Sequence, residues 1–131
     1  MYSSFSNSIK VMAIPLYQGE SVEEDKEYSV WSYNIIIENH SDTTIKILSR
    51  YWKIIDSSGL IHEITGNGVV GKNPVIFPGD LFEYTSFTNL HTSSGVMVGK
   101  YYAENVDTGQ SMEIDIPAFS LDNPEEERVL N

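Results

Sequence analysis

The chain contains no cysteine, so disulfides and thiolate metal sites are excluded from the outset. That absence fits a reducing compartment, and a cytoplasmic location is the expectation. Basic residues are scarce: 8 Lys and Arg stand against 19 Asp and Glu, a net charge of −11. Nucleic-acid binding runs on basic patches that release counterions, so a nucleic-acid partner is not expected. Anionic membrane surfaces are disfavoured on the same ground. Long apolar runs are also missing. The longest aliphatic stretch is Ile35-Ile36-Ile37, far short of the ~20 residues of a membrane helix. The opening MYSSFSNSIK lacks the basic and apolar regions of a secretory signal. Insertion into a membrane is therefore not expected, and a soluble protein is.

What is present is enough for one globular unit. The 131 residues are 40% hydrophobic and 21% charged, and a domain of this size buries about two-thirds of its unfolded surface. The dominant period is two. Between Tyr28 and Asn39, Trp31, Tyr33, Ile35 and Ile37 alternate with Ser32, Asn34, Ile36 and Glu38, which predicts a central strand with one aromatic and aliphatic face. Ile9 to Tyr17 alternates but carries Pro15, which points to an edge strand or its end. Further strands are predicted over 44–55, 60–65, 81–88, 96–105 and 110–116, separated by turn clusters such as Asp56-Ser57-Ser58-Gly59 and Pro78-Gly79-Asp80. No segment shows a helical stripe.

These observations predict an all-β fold of about seven or eight strands. An immunoglobulin/fibronectin III-like antiparallel β-sandwich without a disulfide is the preferred architecture, and an up-and-down barrel is the alternative. Residues 1–121 form the single expected domain, followed by an acidic, flexible tail over 122–131. A second acidic run, Glu20 to Glu27, is expected to be a long solvated loop.

The motif nearest to chemistry is Gly66-Asn67-Gly68-Val69-Val70-Gly71, a G-x-G-x-x-G that Lys72 extends to G-x-x-x-x-G-K. Nucleotide binding by such glycines requires a strand before them and a helix after them. Here Asn73-Pro74-Val75-Ile76-Phe77-Pro78-Gly79 follows, and Asn73 stands where a hydroxyl would touch Mg²⁺. The preferred reading is that Gly66, Gly68 and Gly71 permit positive φ in a tight connection. The competing reading is a backbone concavity that binds an anion such as phosphate, pyrophosphate or nucleotide, with Lys72 adding charge.

Elsewhere the signals are weaker. His40, His62 and His91 lie on separate segments, and no nucleophile elbow exists. No catalytic constellation is visible, so an enzyme is not expected. The carboxylates Glu23, Glu24, Asp25 and Glu27 supply oxygen atoms for a divalent cation but lack a calcium-loop pattern. No cofactor is expected beyond such a cation. Arg50-Tyr51-Trp52 carries bulk on both strand faces. Trp52 is expected in the core, or else Arg50 and Trp52 form a partner-binding patch to which Tyr84, Tyr101 and Tyr102 add. Open sandwiches leave edge strands that can pair between subunits, so a homodimer is a further expectation.

Several of these runs occur together. Arg50-Tyr51-Trp52, Asp56 and Gly59 are followed by the glycine motif, Pro74 and Pro78-Gly79. Then come Phe82-Glu83-Tyr84-Thr85-Ser86, Gly95-Val96-Met97, Gly99, Tyr101, Ile116-Pro117, Phe119 and Leu121. In this order, with Tyr33 and Ile35 to Asn39 upstream, they closely resemble ApaG proteins over nearly the whole chain. The resemblance implies an immunoglobulin- or fibronectin-like sandwich in a bacterial cytosolic protein. It also implies an association with cobalt and magnesium efflux or resistance, and genes associated with diadenosine tetraphosphate hydrolase. Related domains in F-box and polymerase-interacting proteins imply a role in protein contacts. The family has no established catalytic residues to carry over. Lys72-Asn73 stands where members more often have Glu-Gln, which makes this loop more positive. The leading expectation is a non-enzymatic interaction module, a soluble accessory or regulator of cation efflux. The alternative is a small-ligand sensor at Gly66, Gly68, Gly71 and Lys72.

Overall fold

The computed structural model describes residues 1–124. Among these residues nine strands form in chain order: β1 (Tyr2–Ser6), β2 (Ile9–Glu23), β3 (Lys26–Asn39), β4 (Ile45–Asp56), β5 (Ile61–Asn67), β6 (Val75–Ile76), β7 (Leu81–Leu90), β8 (Ser94–Asn105) and β9 (Ser111–Asp122). They make two sheets, β1-β2-β3-β7 and β5-β4-β8-β9, with β6 on β4 beside β5, and every pairing is antiparallel. The chain crosses between the sheets after β3, after β6 and again after β7. The result is an immunoglobulin-like sandwich rather than a single closed barrel. Among the described residues no helix is long and apolar enough to cross a membrane.

The period-two pattern places the core as expected. Ile9, Val11, Ala13, Trp31, Tyr33, Ile35 and Ile37 from one sheet meet Ile45, Ile47, Trp52, Ile54, Tyr101, Ile114 and Phe119 from the other. At the centre the Trp52 ring lies 5.3 Å from that of Tyr33 and 6.0 Å from that of Phe119, both edge-on, a preferred aromatic arrangement.

Three expectations change. The acidic run Glu20 to Glu27 is not a loop: β2 and β3 continue as a hairpin to Glu23 and Lys26. Only Glu24 and Asp25 turn, both at positive φ (52° and 63°), the backbone of a two-residue type I′ turn. The charges are solvated, but the backbone beneath them is laddered. Of the two placements expected for Pro15, the edge holds and the strand end does not: it lies within β2. β1 stops pairing at Ala13, so at Pro15 one side of β2 is already open and no ladder bond is lost there. The domain also extends past residue 121, because Asn123 is buried and its N–H bonds the Ser93 carbonyl. The rest of the expected tail, 125–131, lies outside the described residues.

The two long sides of the sandwich differ. On one, side chains stitch β1 to β9: Ser4 Oγ donates to the Asp115 carbonyl (2.7 Å) and Asn7 Nδ2 to that of Glu113 (2.7 Å). Ser6 Oγ accepts from the Asp115 N–H (3.0 Å), and the Tyr2 and Ser120 hydroxyls bond at 2.8 Å. On the other side β7 and β5 are the margins of their sheets, and no described strand joins them.

Candidate functional site

The open side brings together most of the residues singled out by sequence. It begins with a bulge in β4. The register against β8 slips between Ile47 and Ser49, so Leu48 is the extra residue and ladder bonds are lost locally. The glycine loop docks there. The Gly68 N–H bonds the Leu48 carbonyl (2.7 Å), while Asn73 Nδ2 reaches the carbonyls of Ile47 and Leu48 at 3.1 Å. Val69 and Lys72 exchange both backbone hydrogen bonds, at 2.7 and 2.9 Å. Asn73 thus holds the loop to the strand, and three loop N–H groups are directed at protein carbonyls.

The loop's conformation differs in detail from the sequence reading. Gly68 and Gly71 do take positive φ, 64° and 76°, but Gly66 does not. Val70 does instead, at 47°. At Gly68 a Cβ would come within 2.2 Å of the Lys72 carbonyl oxygen. At Gly66 a Cβ would meet the Arg50 guanidinium at 2.6 Å. Gly66 is there to let an arginine lie flat across β5.

Arg50 is the cation of this region. Its pairing with Tyr101 and Gly66 turns its side chain inward, and Nη1 donates to the carbonyls of Asn67 (3.2 Å) and Gly68 (3.0 Å). Ion pairs among the described residues join His40 to Glu38 and Lys100 to Glu113; Arg50 has no carboxylate partner. Its neighbours are phenols. Tyr84 and Tyr101 share a short hydroxyl–hydroxyl hydrogen bond, and Tyr33 stands opposite Ser86 in the β3–β7 ladder. Burial pushes all three phenols above the ordinary tyrosine value, and the nearby guanidinium offsets this only in part.

The surface patch imagined around Arg50 and Trp52 is therefore taken apart. Trp52 is 2% exposed, in the aromatic core, and leaves no indole surface for a partner. Tyr101 is fully buried and Tyr84 faces inward, while Tyr102 lies on the outer face. A depression of about 470 Å³ remains beside Arg50, lined also by Ser49, Thr65, Gly66, Asn67 and Tyr102.

Farther along the same side, a groove of about 440 Å³ runs between β5 and the end of β7. Ile54, Ile61, Ile64 and Leu90 give it apolar walls, and Asp56, His62, Glu63 and His91 give it polar ones. Two of the three histidines thus share one groove, although they are distant in sequence. His40 lies elsewhere, bonded to Glu38 at 2.8 Å. Among the described residues no group of three or more His, Asp or Glu side chains is placed to hold a metal ion. Glu23, Glu24, Asp25 and Glu27 sit at the tip of the β2–β3 hairpin. The sequence carries no signal for this groove because its walls come from β4 and β5 of one sheet and the end of β7 of the other, and only the crossover after β6 brings them together.

A profile of the ApaG domain matches residues 19–105. The chain belongs to the ApaG family. It is 46% identical to the Protein ApaG of Parvibaculum lavamentivorans and 47% identical to that of Brucella abortus, in each case over all 131 residues and the whole of the relative. Among solved structures it is similar to the putative ApaA protein from Bordetella pertussis, with a TM-score of 0.81 and 34% identity. That match covers 88% of this chain and 94% of the other. A structural-genomics target solved by X-ray crystallography gives a TM-score of 0.85 at 35% identity, covering 90% and 89% of the two chains. The ApaG likeness thus extends over the bulged strand, the glycine loop and both margins of the open side.

Proposed function

We propose that this ApaG protein is a non-enzymatic binding module that acts through protein contacts in the cytoplasm. In this reading it is an accessory or regulator of cobalt and magnesium efflux. The observation that carries the binding role is the asymmetry of the sandwich. One side is stitched shut by β1–β9 side-chain bonds, while the other keeps two strand margins, an apolar-walled groove and exposed Ile61, Ile64 and Phe87 (53, 44 and 64% exposed). Large apolar side chains held in solvent beside open strand margins are typical of a surface that is covered in a complex. The link to cation efflux rests on the family resemblance alone.

Photo-crosslinking in cells tests the reading. A photoreactive residue at Ile61 or Thr85 is expected to give a defined protein adduct, enhanced under cobalt or magnesium stress. The same group at Ser3 on the stitched side serves as control. Equal labelling at all three positions would sink the proposal.

A second reading is favoured by one observation, the guanidinium of Arg50 without a carboxylate among the described residues. It makes the loop region a candidate site for phosphate, pyrophosphate or nucleotide, with Lys72 as the second cation. Calorimetric titration with pyrophosphate and ATP should then show saturable binding that Arg50→Gln and Lys72→Glu each weaken. Gly68→Val is unsuitable for this test, since its side chain would strike the Lys72 carbonyl whether or not a ligand binds. A flat titration of the unmutated protein leaves the protein-contact reading standing alone.

A further inference from the structure

We propose that the outer margin of β7 is a docking strand, on which an extended, basic segment of a partner protein adds to the β1-β2-β3-β7 sheet as a fifth strand. This deepens the binding-module reading and rests on it.

Among the described residues, and apart from the two-residue β6, the two sheets have four marginal strands, and they are not equally protected. β1 is only five residues long and is stitched to β9. β9 carries Pro117, and its backbone at Glu113 and Asp115 is occupied by side chains of Asn7, Ser4 and Ser6. β5 is seven residues long and ends in the glycine loop. β7 differs from all three. It runs ten residues, LFEYTSFTNL, with no proline, glycine, lysine or arginine. It pairs with β3 from Leu90 to Leu81 without a register shift. Edge strands are ordinarily blunted by shortness, proline, bulges or lysine, because a long flat edge is a template for another strand. β7 has none of these devices and a single edge charge, Glu83, and its outward N–H and C=O groups form such a template.

The register specifies what would fit. Leu81, Glu83, Thr85, Phe87 and Asn89 alternate on the outer face of the sheet. Leu16, Ser32 and Phe87 stand in one cross-strand row, with Leu16 61% and Phe87 64% exposed. A strand added beyond β7 would bury the open side of Phe87 and lengthen that row. Directly opposed side chains determine cross-strand preference. The occupant is therefore expected to place an apolar residue opposite Phe87 and Lys or Arg opposite Glu83, four residues along. A second apolar residue falls opposite Leu81, two further on.

Charge selects against a second copy of this chain. Each copy carries −11, and β7 offers Glu83 and no cation of its own, so antiparallel pairing of two β7 strands brings like charges together. A basic segment meets the opposite field and is steered towards it.

The experiment is selection of random ten-residue peptides on the full chain, against an unrelated β-sandwich as control. Enriched peptides should carry the apolar–basic spacing above. Adding one should slow amide hydrogen exchange across 81–90. N-methylation of alternate peptide residues should abolish binding in one phase and spare it in the other, because only one set of N–H groups faces β7. Phe87→Lys should weaken binding by about tenfold or more, and Glu83→Lys should shift selection towards acidic residues at the facing position. Absence of enrichment over the control overturns the proposal. So does protection that maps away from β7, or binding indifferent to N-methylation in both phases. A cellular adduct formed elsewhere on the open side, with β7 exchange unchanged, removes the docking strand and leaves the binding module. Peptides that protect β7 without any cellular adduct do the reverse.

Discussion

At the scale of single residues, the glycine loop separates positions that the motif treats alike. Gly68 combines a positive φ with a backbone oxygen where its Cβ would be, so Gly68→Ala is expected to lose roughly 2 kcal/mol or more by urea denaturation. Val70 has the opposite defect. A β-branched residue at φ 47° with its side chain largely in solvent is strained without compensation, and Asn tolerates this region. Val70→Asn should therefore raise stability by about 1 kcal/mol. Asp56 shows a third kind of local control. Its Oδ1 accepts from Ser58 Oγ (2.6 Å) and from the N–H groups of Ser58 and Leu60 (3.0 Å each). Ser58 chiefly, with the two N–H groups, lowers the carboxyl pKa against the opposing effect of desolvation. A depressed folded-state pKa stabilises the fold above the unfolded value near pH 4, and that contribution is lost as pH falls through the folded value. Asp56→Asn keeps the acceptor and removes the titration. Its urea midpoint should fall less steeply than that of the unmutated protein on the acid limb.

At the scale of elements, the Tyr84–Tyr101 bond joins β7 to β8 and so ties one sheet to the other. Removing either hydroxyl strands its partner in a buried site. Tyr84→Phe and Tyr101→Phe should each cost about 1–3 kcal/mol, and the double variant should cost less than their sum in a double-mutant cycle. Burial also holds these phenols in the neutral form. That preference is fully present below the unfolded value near pH 10 and disappears as pH rises towards the higher folded values, so these tyrosines should ionise only as the protein unfolds in alkali. Ultraviolet absorbance followed against pH checks this. The strands themselves were legible wherever one face is buried, because Trp31 to Ile37 alternates cleanly and Ile45 to Ile54 alternates on either side of the bulge. Legibility failed where the period-two signal carries no burial. The hairpin tip at 20–27 is charged on both faces, β1 is mostly serine, and β6 has two residues. The inward turn of Arg50 was legible as a shared face with Trp52, but which face it was depended on the bulge at Leu48. No local pattern announces such a bulge. The groove between β5 and β7 had no sequence signal, since its walls meet only through topology.

At the scale of the whole molecule, charge and closure dominate. With a net charge of −11, self-repulsion opposes the compact state and salt relieves it. The thermal midpoint should rise as sodium chloride increases from ~10 mM to ~500 mM, because the screening length shrinks severalfold over that range. Capture of a basic segment should weaken over the same range. Calorimetry of the free chain and of the peptide complex would follow both trends, and the opposite sign in either would count against the electrostatic account. The stitched side has a consequence of another kind. Ser4 bonds a residue 111 positions later in the chain, and Asn7 one 106 positions later. A chain growing from its N-terminus at about 5–20 residues per second makes β1 first, but β9 reaches it last. During synthesis the nascent chain therefore presents both long sides of the sandwich unsealed until the twelve residues of β9 emerge and close one of them.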